Sequence, residues 1–412
     1  MIIYLLYSLL GILIGSFTGL IPGLHVNNIA PILVSLVSGT QLDTYQAISL
    51  IVAMMTTHTF LDFIPSTFLG VPDKNTALSV LPAHQFVLEG RGYEVIKFTA
   101  LGSLGSLIIS TVMVGGLVHI IGPIYKIINP YMHLLLIFIV AIMFLLEDSW
   151  KKRLISLGIF LLAGFLGLIV LNSNLVPGNS GLMPMLGGLF GMSVLIVSIN
   201  NENTIPQQKI SNKEIEVIPN TKPIVSGATA GFLTGVIPGV GPAQGTVLSQ
   251  VLTKTEETKD FLIGVSGVNT AKALLSFVAL YAIGRPRSGA AVAVHNLIEK
   301  IGLNDLLFLI GISLFVGGLA AVLHLKIGKL AAKNIEKLPY KPMCLAVIIS
   351  IIAFSVYYAG LWGILILFTS TSIGLLPPSF NVKRTHCMGV LIFPVILFFS
   401  GLETPILKFL GL

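Results

Sequence analysis

Two stretches that lie far apart in the chain repeat one pattern. Residues 11–23 read GILIGSFTGLIPG, and residues 227–239 read GATAGFLTGVIPG. Three glycines, a threonine and the final Ile, Pro and Gly coincide when Gly11 is aligned with Gly227, and the alignment runs to Gly23 and Gly239 without a gap. So many coincidences in so short a stretch indicate an internal duplication of the chain.

A second pair of stretches supports the duplication. Residues 56–73 (TTHTFLDFIPSTFLGVPD) align without a gap with residues 270–287 (TAKALLSFVALYAIGRPR). Identical pairs in this second alignment include Thr56 with Thr270, Phe63 with Phe277, Gly70 with Gly284, and Pro72 with Pro286. Each half therefore contains a Gly-x-Ile-Pro-Gly break and, further along, a Gly-x-Pro break.

These breaks interrupt stretches that are otherwise apolar enough to cross a membrane. Proline removes a backbone donor and clashes with the preceding turn, and glycine adopts backbone angles that other residues avoid. The freed backbone groups are tolerated at membrane depth only where they face a cavity, a ligand or buried protein. Interrupted segments at matching places in two halves are typical of the central site of a secondary transporter. We therefore predict an all-α, polytopic transmembrane protein with two homologous, inverted repeats, broken helices and re-entrant hairpins.

The composition predicts a multi-pass protein of the cell membrane. Hydrophobic residues make up 54% of the 412 positions and charged residues only 10%, with a mean hydropathy of +0.94. Soluble domains contain about 25% charged residues, so the surface of this protein must face membrane lipid. Residues 1–15 are expected to form a membrane helix rather than a signal peptide. The net charge of +7 gathers in loop clusters, which suit membrane headgroups and argue against nucleic acid.

A long polar stretch divides the chain. Residues 200–222 (NNENTIPQQKISNKEIEVIPNTK) are predicted to be an aqueous linker between a first transmembrane repeat, 1–199, and a second, 223–412. The predicted spans lie near 2–20, 45–64, 98–121, 131–147, 154–172, 182–198, 224–238, 261–283, 305–323, 342–359, 361–377 and 386–402. Whether segments 28–38 and 74–89 re-enter the membrane or lie on its surface stays open.

Several motifs resemble one transporter family. They are Gly15–Gly23 with the following His25, Asn27 and Asn28; Gly231–Gly239 with the following Gly-Pro-Ala-Gln-Gly; the stretch 69–94; and the stretch 269–286. Together they resemble the large membrane subunit, or permease, of the tripartite tricarboxylate transporters and its shorter stand-alone relatives of unknown function. The resemblance covers most of the chain, although the chain is shorter than typical members and Gly284-Arg285-Pro286-Arg287 replaces a more apolar break.

The resemblance implies a permease for small carboxylates such as di- or tricarboxylates, driven by an ion gradient. It also implies a small membrane subunit and an extracytoplasmic binding protein as partners. The coupling ion, Na⁺ or H⁺, stays open, as does a homodimer, and no cofactor is expected. The two cysteines lack a metal-type spacing.

The candidate ion-coupling residues lie in one apolar run. An ionised carboxylate such as Asp62 is costly inside a membrane and usually functional, and it could bind Na⁺ or carry a proton. His58 lies one helical turn earlier and could share a proton with it. Thr56 and Thr57 are uncharged partners. Glu147 and Asp148 also end an apolar run, but beside three basic residues they are expected to lie at the membrane interface.

The candidate substrate-binding residues are of two kinds. Lys272, Arg285 and Arg287 could hold an anion, because cations beside an apolar segment are costly unless they are paired or face water. The other candidates are polar or backbone groups at the breaks and in the second repeat: Pro22, Gly23, His25, Asn27, Asn28, Pro238, Gly239, Gln244, Asn269 and Thr270.

Two alternatives to a carboxylate permease remain open. A translocase for a polyprenyl-phosphate lipid carrier would use the same cations for a phosphate headgroup. An intramembrane enzyme acting on lipid would use His58 and Asp62 as acid and base, although a matched repeat favours transport. The motifs of zinc proteases, serine hydrolases and P-loop ATPases do not occur in the sequence, so we expect a non-enzyme.

Overall fold

The described structure is helical. The computed structural model describes residues 2–21, 26, 29–30, 33–34, 42–70, 76, 78–145, 147–173, 176, 178–199, 205–211, 215–236, 242–253, 257–298, 300–337 and 340–411. No strand occurs within these ranges. The all-α prediction is therefore confirmed.

The chain forms two compact units, and each unit draws on both predicted repeats. Unit 1 comprises residues 1–68, 82–125 and 206–336, and unit 2 comprises 69–81, 126–205 and 337–412. The compact units thus cut across the predicted repeats 1–199 and 223–412. A repeat relates two stretches of sequence, and compact units do not test it. The division of the chain into repeats 1–199 and 223–412 therefore stays a prediction.

Unit 1 takes its helices from two parts of the described chain. Those before the linker are α1 (Ile2–Leu20), α2 (Thr44–Leu61), α3 (Phe63–Phe68), α4 (Val80–Leu88) and α5 (Gly92–Ile128), of which α4 begins and α5 ends in residues assigned to unit 2. The helices that follow the linker are α10 (Thr221–Val236), α11 (Pro242–Thr253), α12 (Thr258–Ile283), α13 (Gly289–Leu297) and α14 (Leu303–Asn334).

Unit 2 contains the remaining helices. They are α6 (Met132–Leu145), α7 (Trp150–Asn172), α8 (Leu182–Leu186), α9 (Ser193–Ile199), α15 (Tyr340–Phe380), α16 (Gly389–Ser400) and α17 (Glu403–Leu410). A π-helical turn, Gly187–Met192, joins α8 to α9, and a 3₁₀ turn, Arg384–Met388, precedes α16. Inside α15, Gly360 has φ 59° and ψ −150°, which kinks the element between the two spans predicted at 342–359 and 361–377.

Seven helical elements of the described chain are long and apolar enough to cross a membrane. They are Ile2–Leu20, Thr44–Phe68, Gly92–Leu145, Trp150–Asn172, Thr258–Ile283, Leu303–Asn334 and Cys344–Phe380. An eighth would be the pair Arg384–Ser400 and Glu403–Phe409, which is bent by 111°. A multi-pass membrane protein is confirmed. Two other predicted spans, near 182–198 and 224–238, correspond in the described chain to the shorter helical segments Leu182–Val197 and Thr221–Val236.

The two central helices of unit 1 begin at matching positions. Helix α2 begins at Thr44 after the N-cap Asp43, and α12 begins at Thr258 after the N-cap Glu257. The alignment that pairs residues 56–73 with 270–287, extended toward the N-terminus without a gap, pairs these two helix starts as well. Most residues of both helices are buried, so the two helices form the core of the unit.

Glycines let α1 approach α2 closely, and glycines at the repeated positions do the same for α10 and α12. A Cβ atom on Gly19 would lie 2.9 Å from the Leu61 Cβ atom, and one on Gly235 would lie 3.1 Å from the Leu275 Cβ atom. Leu61 and Leu275 also correspond to each other in the second alignment. The two helix pairs therefore pack in the same register.

Part of the polar linker packs against unit 1, although no packing was expected of it. Gln208 is buried, and its amide donates to Val87 O at 2.9 Å and to Pro206 O at 2.7 Å. Its Oε1 accepts a hydrogen bond from Gly92 N–H at 2.8 Å, at the start of α5. A polar side chain is buried here because backbone groups satisfy its hydrogen bonds.

Glu147 does not lie at the surface as predicted. Its side chain is buried within unit 2, whereas Asp148 beside it is exposed. The difference arises because Glu147 contacts Lys383 and His386, which follow much later in the chain.

Candidate functional site

Asp62 lies at a break in the most deeply buried stretch of unit 1. It follows the last residue of α2, and the helix resumes at Phe63 as α3. Its backbone N–H still donates to His58 O at 3.0 Å, so the chain stays close to helical through the break. The residue is only 2% exposed. A carboxyl group thus lies inside an apolar environment, as the sequence predicted.

Asn269 joins this carboxyl group from α12. Its Nδ2 atom donates a hydrogen bond to Asp62 Oδ2 at 2.9 Å and lies 3.4 Å from Thr59 O. Asn269 was predicted as a substrate-binding residue and Asp62 as an ion-coupling residue. The structure brings the two side chains into one polar cluster between α2 and α12.

Two threonine hydroxyl groups extend the cluster. Thr270 Oγ1 donates to Thr59 Oγ1 at 3.3 Å, and Thr59 Oγ1 donates to Thr56 O at 2.8 Å. Thr59 was not among the predicted residues, although it lies on the same helix as the predicted Thr56 and Thr57. We call Asp62, Asn269, Thr59 and Thr270 the central polar cluster.

His58 points toward α1. Its Nδ1 atom lies 3.1 Å from Thr18 Oγ1, and Thr18 in turn donates to Gly15 O at 3.1 Å. Which of the two groups donates in this contact depends on the tautomer of the His58 ring. Thr18 belongs to the repeated motif, and that recurrence is the sequence signal that could have identified it.

Thr56 and Thr57 are both buried in α2. Thr57 Oγ1 has no hydrogen-bond partner within the described ranges. The Thr57 Cβ atom would lie 2.8 Å from a Cβ atom placed on Gly15, so this residue lines the close approach of α1.

The three predicted cations do not share one location. Lys272 is half-buried on α12 and corresponds to His58 in the second alignment. Arg285 is exposed and Arg287 is half-buried, with its guanidinium carbon 5.3 Å from the centroid of the Tyr125 ring. Both arginines follow the end of α12, and about 20 Å of helix separates that end from Asn269. The arginines therefore lie outside the central polar cluster.

The remaining predicted residues cannot be placed. Seven of them lie outside the described residues: Pro22, Gly23, His25, Asn27, Asn28, Pro238 and Gly239. Gln244 lies on α11, but its side chain is outside the described part of the structure.

The cluster's chemistry suits a monovalent cation or a proton. It offers a carboxylate, an amide and two hydroxyl groups, and hard cations prefer such oxygen ligands. Among the described residues, no group of three or more His, Cys, Asp or Glu side chains could hold a metal ion. A carboxylate with other oxygen ligands beside it can bind a cation or accept a proton.

The fold and the cluster together define a multi-pass helical membrane protein with a buried polar centre between two core helices. Residues 5–389 match the Tripartite tricarboxylate transporter TctA family, and the chain belongs to that family. The chain is also 32% identical over 411 residues to an uncharacterized protein of Methanocaldococcus jannaschii, with 96% of this chain and 98% of that protein covered. No solved structure matches the chain.

Proposed function

We propose that this protein is a secondary permease for a small organic anion such as a di- or tricarboxylate, driven by a gradient of Na⁺ or H⁺. Membership of a transporter family supports transport as the general activity. The substrate, the coupling ion and the residues that bind them are the proposal. A small membrane subunit and an extracytoplasmic binding protein are proposed partners.

The observation that carries the proposal is the hydrogen bond from Asn269 Nδ2 to Asp62 Oδ2. It links α2 to α12, which begin at matching positions of the predicted repeat. In an alternating-access transporter, the two repeats move against each other around a site at their interface. A polar contact at such an interface can therefore change when an ion binds to its carboxylate.

The coupling ion would bind at the central polar cluster. Na⁺ would take oxygen ligands from Asp62, Thr59 and Thr270, whereas H⁺ would neutralise Asp62 directly. Either ion lowers the cost of holding a carboxylate charge in an apolar environment, so binding is favourable where the charge is buried.

The anion would bind near Lys272. This residue lies one helical turn after Asn269, on the helix that supplies the cluster. The Pro-Gly breaks would contribute backbone N–H groups at half-helix ends, which favour negative charge. Substrate and coupling ion of opposite sign would then stabilise each other.

Uptake of labelled succinate or citrate into proteoliposomes tests the proposal. An imposed Na⁺ or H⁺ gradient should drive uptake by the wild-type protein but not by Asp62→Asn. Glu336→Gln is the matched control, because Glu336 is an exposed carboxylate beyond the end of α14. Absence of gradient-driven uptake with all tested carboxylates, with the proposed partner subunits also supplied, would reject the proposal.

A further inference from the structure

A buried carboxylate–imidazole pair lies in unit 2, and the proposed transport site does not use it. Glu147 Oε1 accepts a hydrogen bond from His386 Nε2 at 2.9 Å. The Glu147 side chain is 2% exposed and the His386 side chain is 0% exposed. Titratable groups are rarely buried this completely unless they are paired or functional.

The surroundings hold both side chains in place. The backbone N–H of Lys383 donates to the same Oε1 atom at 2.9 Å. The His386 ring stacks on the Phe144 ring, with centroids 5.5 Å apart and an angle of 18° between the planes. The pair thereby connects the loop after α6 to the 3₁₀ turn before α16.

The hydrogen bonds determine where a proton can be added. His386 Nδ1 is buried and has no hydrogen-bond partner within the described ranges, so a proton on Nδ1 would create a buried N–H without an acceptor. His386 is therefore neutral, with its proton on Nε2, and the pair carries a charge of −1. Both hydrogen bonds to the carboxylate end at Oε1, so a further proton would bind to Oε2 of Glu147.

Two of the neighbouring cations, both arginines, contact other groups. Arg384 Nη1 donates to Ser193 Oγ at 2.9 Å, and Arg153 Nε donates to the backbone oxygen of Glu147 at 3.2 Å. Among the described residues, His386 is the ion-pair partner found for the Glu147 carboxylate. The titratable and charged groups near the pair are Asp148, Lys152, Arg153, Lys383, Arg384 and Cys387.

Exposed residues adjoin the pair along the chain. Asp148 follows Glu147 directly and its side chain is 84% exposed, and Lys383 is exposed shortly before His386. The buried carboxylate is thus one residue away from an exposed side chain in the sequence.

We propose that Glu147 and His386 form a proton-binding site in unit 2, separate from the central polar cluster. One proton from a hydronium ion binds to Glu147 Oε2 and leaves one water molecule behind. The charge of the pair changes from −1 to 0, while His386 stays neutral and keeps its hydrogen bond. This site is not part of the proposed function, because a proton can bind to it whether or not a carboxylate substrate is bound elsewhere.

Infrared difference spectroscopy of the reconstituted protein tests this site. As the pH is lowered stepwise from neutral, a carboxylic-acid C=O band should appear that is absent in Glu147→Gln. The Gln side chain keeps an acceptor for Lys383 N–H and for His386, so this variant should fold. Asp148→Asn is the matched control, because it changes an exposed neighbouring carboxylate and should leave the Glu147 band in place.

Variants of His386 test whether this residue takes part in proton binding or whether Glu147 binds the proton alone. His386→Phe removes the donor to the carboxylate but keeps a ring on Phe144, so the band should appear at higher pH. His386→Gln keeps a donor and should titrate close to the wild-type protein. A spectrum of Glu147→Gln that retains every wild-type band, or a midpoint unchanged in His386→Phe, would overturn the proposal. Neither result depends on carboxylate uptake, so this site and the proposed transport can fail separately.

Discussion

Asn269 Nδ2 lies 2.9 Å from Asp62 Oδ2, and this hydrogen bond joins the two most buried helices of unit 1. The two residues come from different halves of the sequence. A buried carboxylate that accepts an amide N–H is stabilised, but its charge is not neutralised by that contact. We therefore propose that the coupling ion binds at this carboxylate.

Asp62→Asn should abolish ion-driven uptake while the protein stays folded. The amide is nearly isosteric with the carboxylate but carries no charge, so it cannot be neutralised by the coupling ion. We expect uptake to fall by more than about tenfold, equivalent to at least about 1.4 kcal/mol of lost ion or substrate binding. Proteoliposome uptake measures the effect, and size-exclusion chromatography checks folding. Uptake at the wild-type level would mean that Asp62 is not the coupling residue.

Exchanging Asp62 and Asn269 should restore part of the thermal stability that is lost in the single variant Asn269→Asp. Asn269→Asp places two carboxylates in contact and should lower the thermal stability, because like charges repel in a buried site. Combining it with Asp62→Asn re-creates one amide and one carboxylate, so the double variant should be more stable than Asn269→Asp alone. Thermal unfolding can be followed with a thiol-reactive dye, because the thiols of Cys344 and Cys387 are buried in the folded protein. Strictly additive effects of the two changes would show that the residues are not coupled.

Gly15→Ala should destabilise the contact between α1 and α2. Its Cβ atom would lie 2.5 Å from Met54 O, so the helices would have to separate. Overpacking of this kind typically costs about 1–3 kcal/mol. Gly231→Ala, at the matching position of the second repeat, should cost a similar amount because its Cβ atom would meet Ala271. Gly115→Ala is the control, since no atom lies within 4 Å of its Cβ position. Equal melting temperatures for Gly15→Ala and Gly115→Ala would contradict this packing.

Gln208→Ala should release the linker from unit 1. The change leaves Gly92 N–H and Val87 O without their side-chain partner, at a cost of about 1–3 kcal/mol. Limited proteolysis within residues 200–222 should then become faster than in the wild-type protein. Gln207→Ala is the matched control, because the Gln207 side chain is exposed. If both variants are cleaved at the same rate, the hydrogen bonds of Gln208 do not hold the linker.

The apolar composition and the repeated breaks predicted much of the fold. Apolar length identifies membrane helices reliably, because a helix must cross a hydrocarbon core of about 30 Å. The cost of a charge in an apolar run led to the prediction of Asp62, and Asn269 was predicted as a polar group of the second repeat. The match of helix starts at Thr44 and Thr258 supports the predicted repeat, which stays a prediction.

Contacts between distant residues were the part that the sequence did not reveal. Glu147 ends an apolar run beside basic residues, a pattern typical of a membrane interface, but Lys383 and His386 contact it in a buried site. Gln208 lies in a polar linker, and its burial depends on the backbone groups of Val87 and Gly92. Neither contact leaves a periodic pattern, because each depends on where two separate segments meet.

Ligand-dependent thermal stabilisation of the purified protein tests the central proposal most directly. Succinate, citrate and a short-chain polyprenyl phosphate would each be added with and without Na⁺ and at two pH values, to wild type and to Asp62→Asn. We predict that a carboxylate raises the melting temperature, that Na⁺ or lower pH increases this rise, and that Asp62→Asn removes the dependence on the ion. Stabilisation by the polyprenyl phosphate alone, or an ion dependence that persists in Asp62→Asn, would contradict a carboxylate permease coupled through Asp62.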